Sequence, residues 1–200
     1  MISNLPPLPV DLHPRLVDGL GKSRVRAAIL PMGAFARLRE GDLLWVREQI
    51  FVEDKQVRGG ELRIKYTRDR YWQAIAWPWG RVRPRAGYHP AGRMPVECSR
   101  YTLRVASAEA RRLSSIESDE AVACGVIMDP DGGFVPATAE SDTFKPFGTP
   151  SEALGYAWQE AGYGDPGENP EVMLVEFTAM ARNVGRLVSG MGTGGSRRAS

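Results

Sequence analysis

The segment Arg39–Glu48 places a tight Gly41-Asp42 turn directly before a hydrophobic run that carries Trp45 and ends in an arginine-glutamate pair. A glycine-containing turn followed by apolar residues indicates the start of a strand, which we predict over residues 43–52. A strand of this length is stable only beside partner strands, so the other short apolar runs of the chain decide the fold.

Several such runs follow the same pattern of short apolar segments bounded by glycine or proline. Gly59-Gly60 predicts a hairpin between residues 52–57 and 62–66. The strict alternation of Tyr101–Val105 predicts a strand over residues 100–110, and the apolar run 172–177 predicts a buried strand. Residues 22–30 begin with alternating cations and become apolar, which predicts a strand with one basic face.

Helical patterns are confined to three intervals, residues 11–20, 115–124 and 150–161. The second has acidic residues in its first turn and Ser115 or Ser118 as the predicted cap, and Gly125 follows its end. Because short strands dominate, the predicted class is α+β, built on a small, mixed and closed β-sheet, a β-barrel with flanking helices.

The chain of 200 residues suits one domain with additions at its ends. We predict a Pro-rich arm over residues 1–11, a domain over residues 12–180 and a flexible Gly/Ser/Arg tail over residues 181–200. No stretch approaches the roughly 20 apolar residues of a membrane span, and the start does not resemble a signal peptide. The expected location is the cytoplasm, with no membrane partner.

Cysteine and histidine usage argues against a metal site. Cys98 and Cys124 form no CxxC motif, and His13 and His89 lie near neither of them in sequence. We therefore predict no metal and no cofactor. The net charge of +2 is too small for a bulk field to attract nucleic acid, so any anion binding has to come from local clusters of cations.

Four segments, in this order, resemble the ASCH-domain proteins of phages and prophages, β-barrel relatives of the PUA domains. They are LREGDLLWVRE from Leu38, MPVECSRYTLRV from Met94, LSSIESDEAVACGV from Leu113 and NPEVMLVEF from Asn169. The resemblance covers about Leu16 to Phe177. It implies a PUA-like barrel, a phage or prophage origin with the cytoplasm of the host cell as location, and RNA as the favoured ligand.

In small bacterial ASCH proteins a lysine, a threonine and a glutamate hydrolyse the amide of acetylated cytidine nucleosides. The resemblance places that lysine at Lys22, but it places Val25 at the threonine position and Cys124 at the glutamate position. Lys22 is the catalytic candidate if the chain is an enzyme, with Ser23 or Cys124 in an altered role. Because valine has no hydroxyl, the sequence favours a protein without this activity.

Arginine forks fit phosphate oxygens, and exposed aromatic rings stack on bases. The predicted nucleic-acid contacts are accordingly the basic strand, its neighbours and the arginine-rich loop with its tryptophan: Lys22, Arg24, Arg26, Arg47, Trp79, Arg81, Arg83 and Arg100. The plainer interpretation is that these arginines are solvated charges, several of them paired with Glu48, Glu53 or Glu97. Trp45 fits the core better than a stacking role, and Trp77 with Trp79 is the predicted exposed pair.

Three hypotheses follow from these observations. The first is a non-catalytic module that binds nucleic acid or a nucleotide. The second is a hydrolase that acts on a modified nucleoside. The third is a structural or interaction protein of a phage particle, with another phage protein as its partner.

Overall fold

The structure is a computed structural model, and it describes residues 6–54, 60–139, 144–185 and 187. Strands outnumber helices in this part of the chain, which confirms the predicted α+β class. The strands are β1 (Leu8–Asp11), β2 (Ala27–Pro31), β3 (Leu43–Arg47), β4 (Ile50–Val52), β5 (Glu61–Tyr66), β6 (Gln73–Ala76), β7 (Gly87–His89), β8 (Thr102–Arg112), β9 (Val126–Met128), β10 (Phe134–Pro136) and β11 (Glu171–Met180). The helices are α1 (Pro14–Leu20), α2 (Met32–Phe35), α3 (Ser118–Ala123) and α4 (Pro150–Glu160).

The chain divides into two compact units. Within the described residues, unit 1 contains 13–42, 104–139 and 144–179. Unit 2 contains 6–12, 43–54, 60–103, 180–185 and 187. No helix of the described residues has the length and apolar character that crossing a bilayer requires.

Unit 1 packs α3 and α4 against strands. Antiparallel β11 and β2 are in register from Val172 opposite Pro31 to Glu176 opposite Ala27. Helix α4 forms where it was predicted because Thr149 caps its start, Pro150 stands at its first position, and Leu154 and Trp158 share its buried stripe. These side chains join Ala27, Val172 and Leu174 in one hydrophobic core.

The predicted cap of α3 was wrong. The helix begins at Ser118, and the backbone N–H of Glu117 donates to Glu120 Oε2 at 2.8 Å. Ser115 instead lies in a preceding 3₁₀ turn, where its hydroxyl donates to the carbonyl of Arg112 at 2.8 Å. Neither serine is therefore at the position that caps this helix.

Unit 2 contains a four-stranded antiparallel sheet in the order β6-β5-β4-β7. The predicted pairing of two strands around Gly59-Gly60 is found as β4 with β5, but β4 covers Ile50–Val52 and not the predicted residues 52–57. Residues 55–59 lie outside the described residues. One face of this sheet forms a core with Trp77, Met94 and Cys98. Leu8–Asp11, inside the predicted N-terminal arm, pairs in parallel with Leu44–Arg47 of β3.

The expected closed barrel is not found in the described part of the chain, where no sheet returns from its last strand to its first. In the four-stranded sheet, β6 and β7 are both edges and contain four and three residues. Pro78 and Pro90 follow closely behind them, and proline cannot donate to a strand ladder. These two edge strands do not pair with each other, so the sheet stays open.

The basic strand predicted from Lys22 was also wrong, because β2 begins only at Ala27. Residues 22–24 instead wrap around the end of α1, where the N–H groups of Lys22 and Arg24 both donate to the carbonyl of Gly19. The N–H of Arg26 donates to the carbonyl of Ala123 at 2.9 Å. The segment is therefore a turn that places its cations on the surface, not a strand with one basic face.

Candidate functional site

A cleft of about 960 Å³ lies within unit 2. One side is formed by the edge strand β6 with Pro78 and Arg81 after it. The other side is formed by Tyr66, by residues between Val96 and Arg100 and by the segment that follows β11. Two of the predicted ligand-binding residues, Arg81 and Arg100, line it, and Arg182 adds a third guanidinium. The arginine-rich loop and Arg100 therefore contribute to one concave surface.

Arg100 is the most firmly held side chain of the cleft. Its Nε and Nη2 donate to the two carboxylate oxygens of Glu48 at 2.9 and 2.7 Å, and its Nη1 donates to Asp69 at 3.0 Å. The guanidinium carbon lies 4.1 Å from the ring centre of Tyr66. Two carboxylates thus offset the charge of Arg100, and it is not a free phosphate ligand.

The ionisation of this cluster follows from burial and pairing. Burial lowers the pKa of Arg100. The hydrogen bonds and charge of Glu48, together with the charge of Asp69, raise that pKa by more than burial lowers it, so the guanidinium stays protonated. Burial, with the charge of Glu48, raises the pKa of Tyr66 above its ordinary value. The Tyr66 hydroxyl donates to the carbonyl of Cys98 at 2.7 Å, so the ring is a fixed, neutral wall.

For Arg81, the interpretation as a solvated charge paired with a carboxylate is confirmed in part. Its Nε lies 3.4 Å from Glu97 Oε1, and its side chain is 66% exposed. Exposed ion pairs of this kind contribute little to stability, so the guanidinium can exchange its partner for a ligand. Arg47 is held more closely, with Nε and Nη2 donating to both oxygens of Asp11 at 2.7 and 2.6 Å.

The predicted exposed pair of tryptophans was half right. Trp79 is fully exposed, but Trp77 is 8% exposed and packs in the core of unit 2. The Trp77 indole N–H donates to the carbonyl of Arg81 at 3.1 Å, and this bond anchors the loop. Arg83 lies on the surface in the same loop. Trp45 packs against the core, as expected.

Lys22, Arg24 and Arg26 are exposed in unit 1, and none of them forms an ion pair with another described residue. Val25 is buried between them and packs against Gly19, where an added Cβ would lie 2.6 Å from Val25 Cγ2. An added Cβ at Gly125 would lie 3.5 Å from the same methyl group. The position that the resemblance assigns to the threonine therefore lies close to the end of α3.

The position assigned to the glutamate, Cys124, is buried at that helix end. Burial, with the nearby charges of Glu120 and Glu176, raises the pKa of the Cys124 thiol to about 12. The reactive form of a cysteine is the thiolate, so Cys124 is not a nucleophile near neutral pH. Val25 and Cys124 together provide neither a hydroxyl nor an ionised group for amide hydrolysis.

Sequence reasoning missed Asn183, which lines the cleft. Its Nδ2 lies 2.7, 3.2 and 2.9 Å from the carbonyl oxygens of Val96, Glu97 and Ser99. This amide holds residues that follow β11 against the turn that precedes Arg100. Asn183 falls where the apolar pattern fades, and a single asparagine in such a segment gives no periodic signal.

No group of three histidine, cysteine, aspartate or glutamate side chains in the described residues could hold a metal ion. In the comparisons with known proteins, no family model, no curated protein and no solved structure matches the chain. The likeness to ASCH proteins consequently remains an expectation from four sequence segments.

Proposed function

We propose that the protein is a non-catalytic module that binds nucleic acid or a nucleotide, with RNA as the favoured ligand. The same proposal includes a PUA-like, ASCH-type relationship and an origin in a phage or prophage. The observation that carries it is the charge of one continuous segment. Residues 61–103 contain nine arginine or lysine residues against three carboxylates.

Four of the nine cations of this segment lie between residues 80 and 95, in the predicted arginine-rich loop. Arg81, Arg83, Arg85 and Arg93 are all exposed, and the fully exposed indole of Trp79 lies two residues before the first of them. Arginine next to an exposed aromatic ring is the combination that contacts phosphates and bases in nucleic-acid-binding proteins.

The loop is also ordered before any ligand arrives. The Trp77 indole N–H donates to the Arg81 carbonyl, and the Arg81 N–H donates to the Pro78 carbonyl at 3.2 Å. Further along, His89 Nε2 lies 2.7 Å from the Arg85 carbonyl oxygen. A loop that is already fixed loses less conformational entropy on binding than a free one, which favours affinity for an anionic ligand.

The hydrolase alternative has less support, because the positions that the resemblance assigns to the threonine and the glutamate, Val25 and Cys124, supply neither a hydroxyl nor an ionised group. A non-catalytic binder is therefore the better proposal for the same resemblance.

The experiment measures binding of a labelled oligonucleotide by fluorescence anisotropy across a range of salt concentrations. We expect affinity to fall steeply with salt, and the triple variant Arg81→Gln, Arg83→Gln, Arg85→Gln to bind more weakly. Because each phosphate contact to a single strand contributes about 0.7 to the salt slope, losing three should lower the slope by about 2.

The matched control removes three exposed arginines of unit 1, Arg37→Gln, Arg39→Gln and Arg104→Gln, which is the same change in charge. A second triple variant, Lys22→Gln, Arg24→Gln and Arg26→Gln, tests the other predicted cluster. No binding at low salt, or equal losses in the loop variant and the matched control, would contradict the proposal.

A further inference from the structure

The outward face of the four-stranded sheet in unit 2 carries a row of side chains across its strands. In the register of the sheet, Phe51 of β4 lies opposite Tyr88 of β7 on one side and Lys65 of β5 on the other. Trp72, directly before β6, completes the row, because the Lys65 ammonium lies 5.7 Å from its ring centre. We call Tyr88, Phe51, Lys65 and Trp72 the aromatic row.

The burial of this sheet makes the row unexpected. Ile50, Val52, Leu62 and Ile64 point to the opposite face and are buried in the core of unit 2. With one face buried, the other face of an antiparallel sheet is expected to be polar. Yet Phe51, Trp72 and Tyr88 are 37%, 38% and 51% exposed, respectively. No described side chain covers these three rings fully.

The row combines flat rings with a positive charge. The Phe51 and Tyr88 ring centres are 5.4 Å apart and their planes are tilted by 56°. The Lys65 ammonium lies 5.7 Å from the Phe51 centre as well as from that of Trp72. Lys65 forms no ion pair with another described residue. Its charge is therefore available to an anion next to rings that can accept a stacked base.

The apolar strip is about one residue wide. On the same face, the pair of residues next along β4 and β5 is Glu53 with Arg63, whose carboxylate and guanidinium are 3.1 Å apart. A typical protein interface buries about 800 Å² of each partner, with an apolar centre. A strip bounded by an ion pair is too narrow for a protein interface of that size. Its width matches a single row of stacked bases, with their phosphates along one side.

We propose that the aromatic row is a stacking surface for the unpaired bases of a single-stranded nucleic acid, with Lys65 contacting its phosphates. This inference rests on the proposed function and specifies its ligand as unpaired strands, not a duplex. In a duplex the base faces are covered by their neighbours, so the rings have no face to stack on. Arg70 and Arg93 are further exposed cations of the same basic segment of the sequence.

The test compares 10-nucleotide oligo(U) and oligo(dT) with a blunt duplex of similar charge, using wild type, Phe51→Ala, Tyr88→Ala and Trp72→Ala. Alanine removes the ring on which a base would stack, so each variant should bind the single strands about tenfold more weakly. Duplex binding should change less than twofold. Tyr88→Phe keeps the ring and should retain wild-type affinity.

Met128→Ala is the matched control, because Met128 is an exposed hydrophobic residue of unit 1 at 67% exposure. It should leave every affinity unchanged. Circular dichroism melting checks that each variant is folded.

The inference fails if the ring variants bind single strands like wild type, or if they lose duplex binding equally. It also fails if the three alanine variants lose binding to a protein partner while their affinity for nucleic acid is unchanged. If wild type binds no nucleic acid at all, the proposed function fails with it. If wild type binds and the loop-arginine variant is weakened while the ring variants are not, only the stacking surface is wrong.

Discussion

Arg100 is enclosed by Glu48, Asp69 and Tyr66, and Glu48 retains only 9% of its side-chain exposure. Removal of the guanidinium leaves a nearly buried carboxylate without its main partner. We expect Arg100→Ala to lower the free energy of unfolding by about 2 kcal/mol, since Arg100 itself is partly solvated and a fully buried pair would cost more. Urea denaturation measures the change.

Arg47→Ala is the matched control for that measurement. It breaks another bidentate pair, but Asp11 is 47% exposed and becomes solvated when the arginine is lost. We expect a loss below about 1 kcal/mol. If Arg100→Ala and Arg47→Ala destabilise equally, the Arg100 cluster is not the buried anchor described above. Adding Glu48→Gln to Arg100→Ala should restore part of the stability.

The two buried cysteines predict that the free energy of unfolding falls at alkaline pH. Burial raises the thiol pKa of both Cys98 and Cys124 from 9.0 to about 12. A thiol that holds its proton more tightly when folded contributes full stability below pH 9, and that contribution is lost as the pH rises towards 12. The free energy of unfolding should therefore fall by roughly 1 kcal/mol per thiol between pH 9 and pH 10.

Urea denaturation at pH 7, 9 and 10 measures this fall, and Cys124→Ala should show a smaller one. The same burial predicts that neither thiol reacts with a disulfide reagent at pH 8 until urea unfolds the chain. Rapid labelling of the native protein would show that the thiols are accessible and would remove the basis for the pH dependence.

At the level of the elements, the junction between α3 and β9 depends on Gly125. Its φ of +99° lies in the left-handed region, and an added Cβ would approach Leu16 Cδ2 to 2.6 Å. Gly125→Ala should therefore destabilise through both backbone strain and overpacking, by about 2–4 kcal/mol together. Thermal melting or urea denaturation measures the loss.

Gly132 provides a close comparison, because its φ is +96° and no atom lies within 4 Å of its added Cβ. Gly132→Ala should show the backbone strain alone, about 1–2 kcal/mol. A similar loss in both variants would mean that Leu16 moves aside at little cost and that the end of α3 is not closely packed.

Local signals explain which elements were predictable. Helix α4 carries its cap, its first-turn proline and its apolar stripe within twelve residues, and all three are visible in the sequence. The turn at residues 22–26 was missed because the alternation of its cations suggested a strand, whereas two of its N–H groups bond to the nearby Gly19 carbonyl and the Arg26 N–H bonds to the distant Ala123 carbonyl. Whether a sheet closes depends likewise on long-range pairing.

The residues of the candidate site also fall into two groups, those visible in the sequence and those that only the fold brings together. The arginine-rich loop and Trp79 were visible in the sequence because clustered cations and the aromatic residues beside them can be read there directly, whereas the burial of Trp77 could not. The partners of Arg100 were only partly visible: Glu48 was considered, whereas Asp69 and Tyr66 come together with it through the fold. Phe51 and Tyr88 are 37 residues apart, and only strand register makes them neighbours.

For the whole molecule, the net charge of +2 conceals an uneven distribution. Outside residues 61–103, 17 basic residues are outnumbered by 21 carboxylates. The excess of positive charge therefore belongs to one segment, while the rest of the chain has a slight negative excess. This arrangement suits a protein that contacts a polyanion with a defined surface, since the remaining surface attracts it weakly.

The parallel pairing of β1 with β3 has a practical consequence for anyone who produces this protein. A proline-rich start invites removal when a shorter version is designed, and cutting after Leu12 would remove all of Leu8–Asp11. The backbone of Leu44–Arg47 would then lose its partner on one edge while keeping β8 on the other, and Arg47 would lose Asp11. Unpaired strand edges pair with strands of other chains, so the truncated protein should aggregate more readily than the untruncated chain.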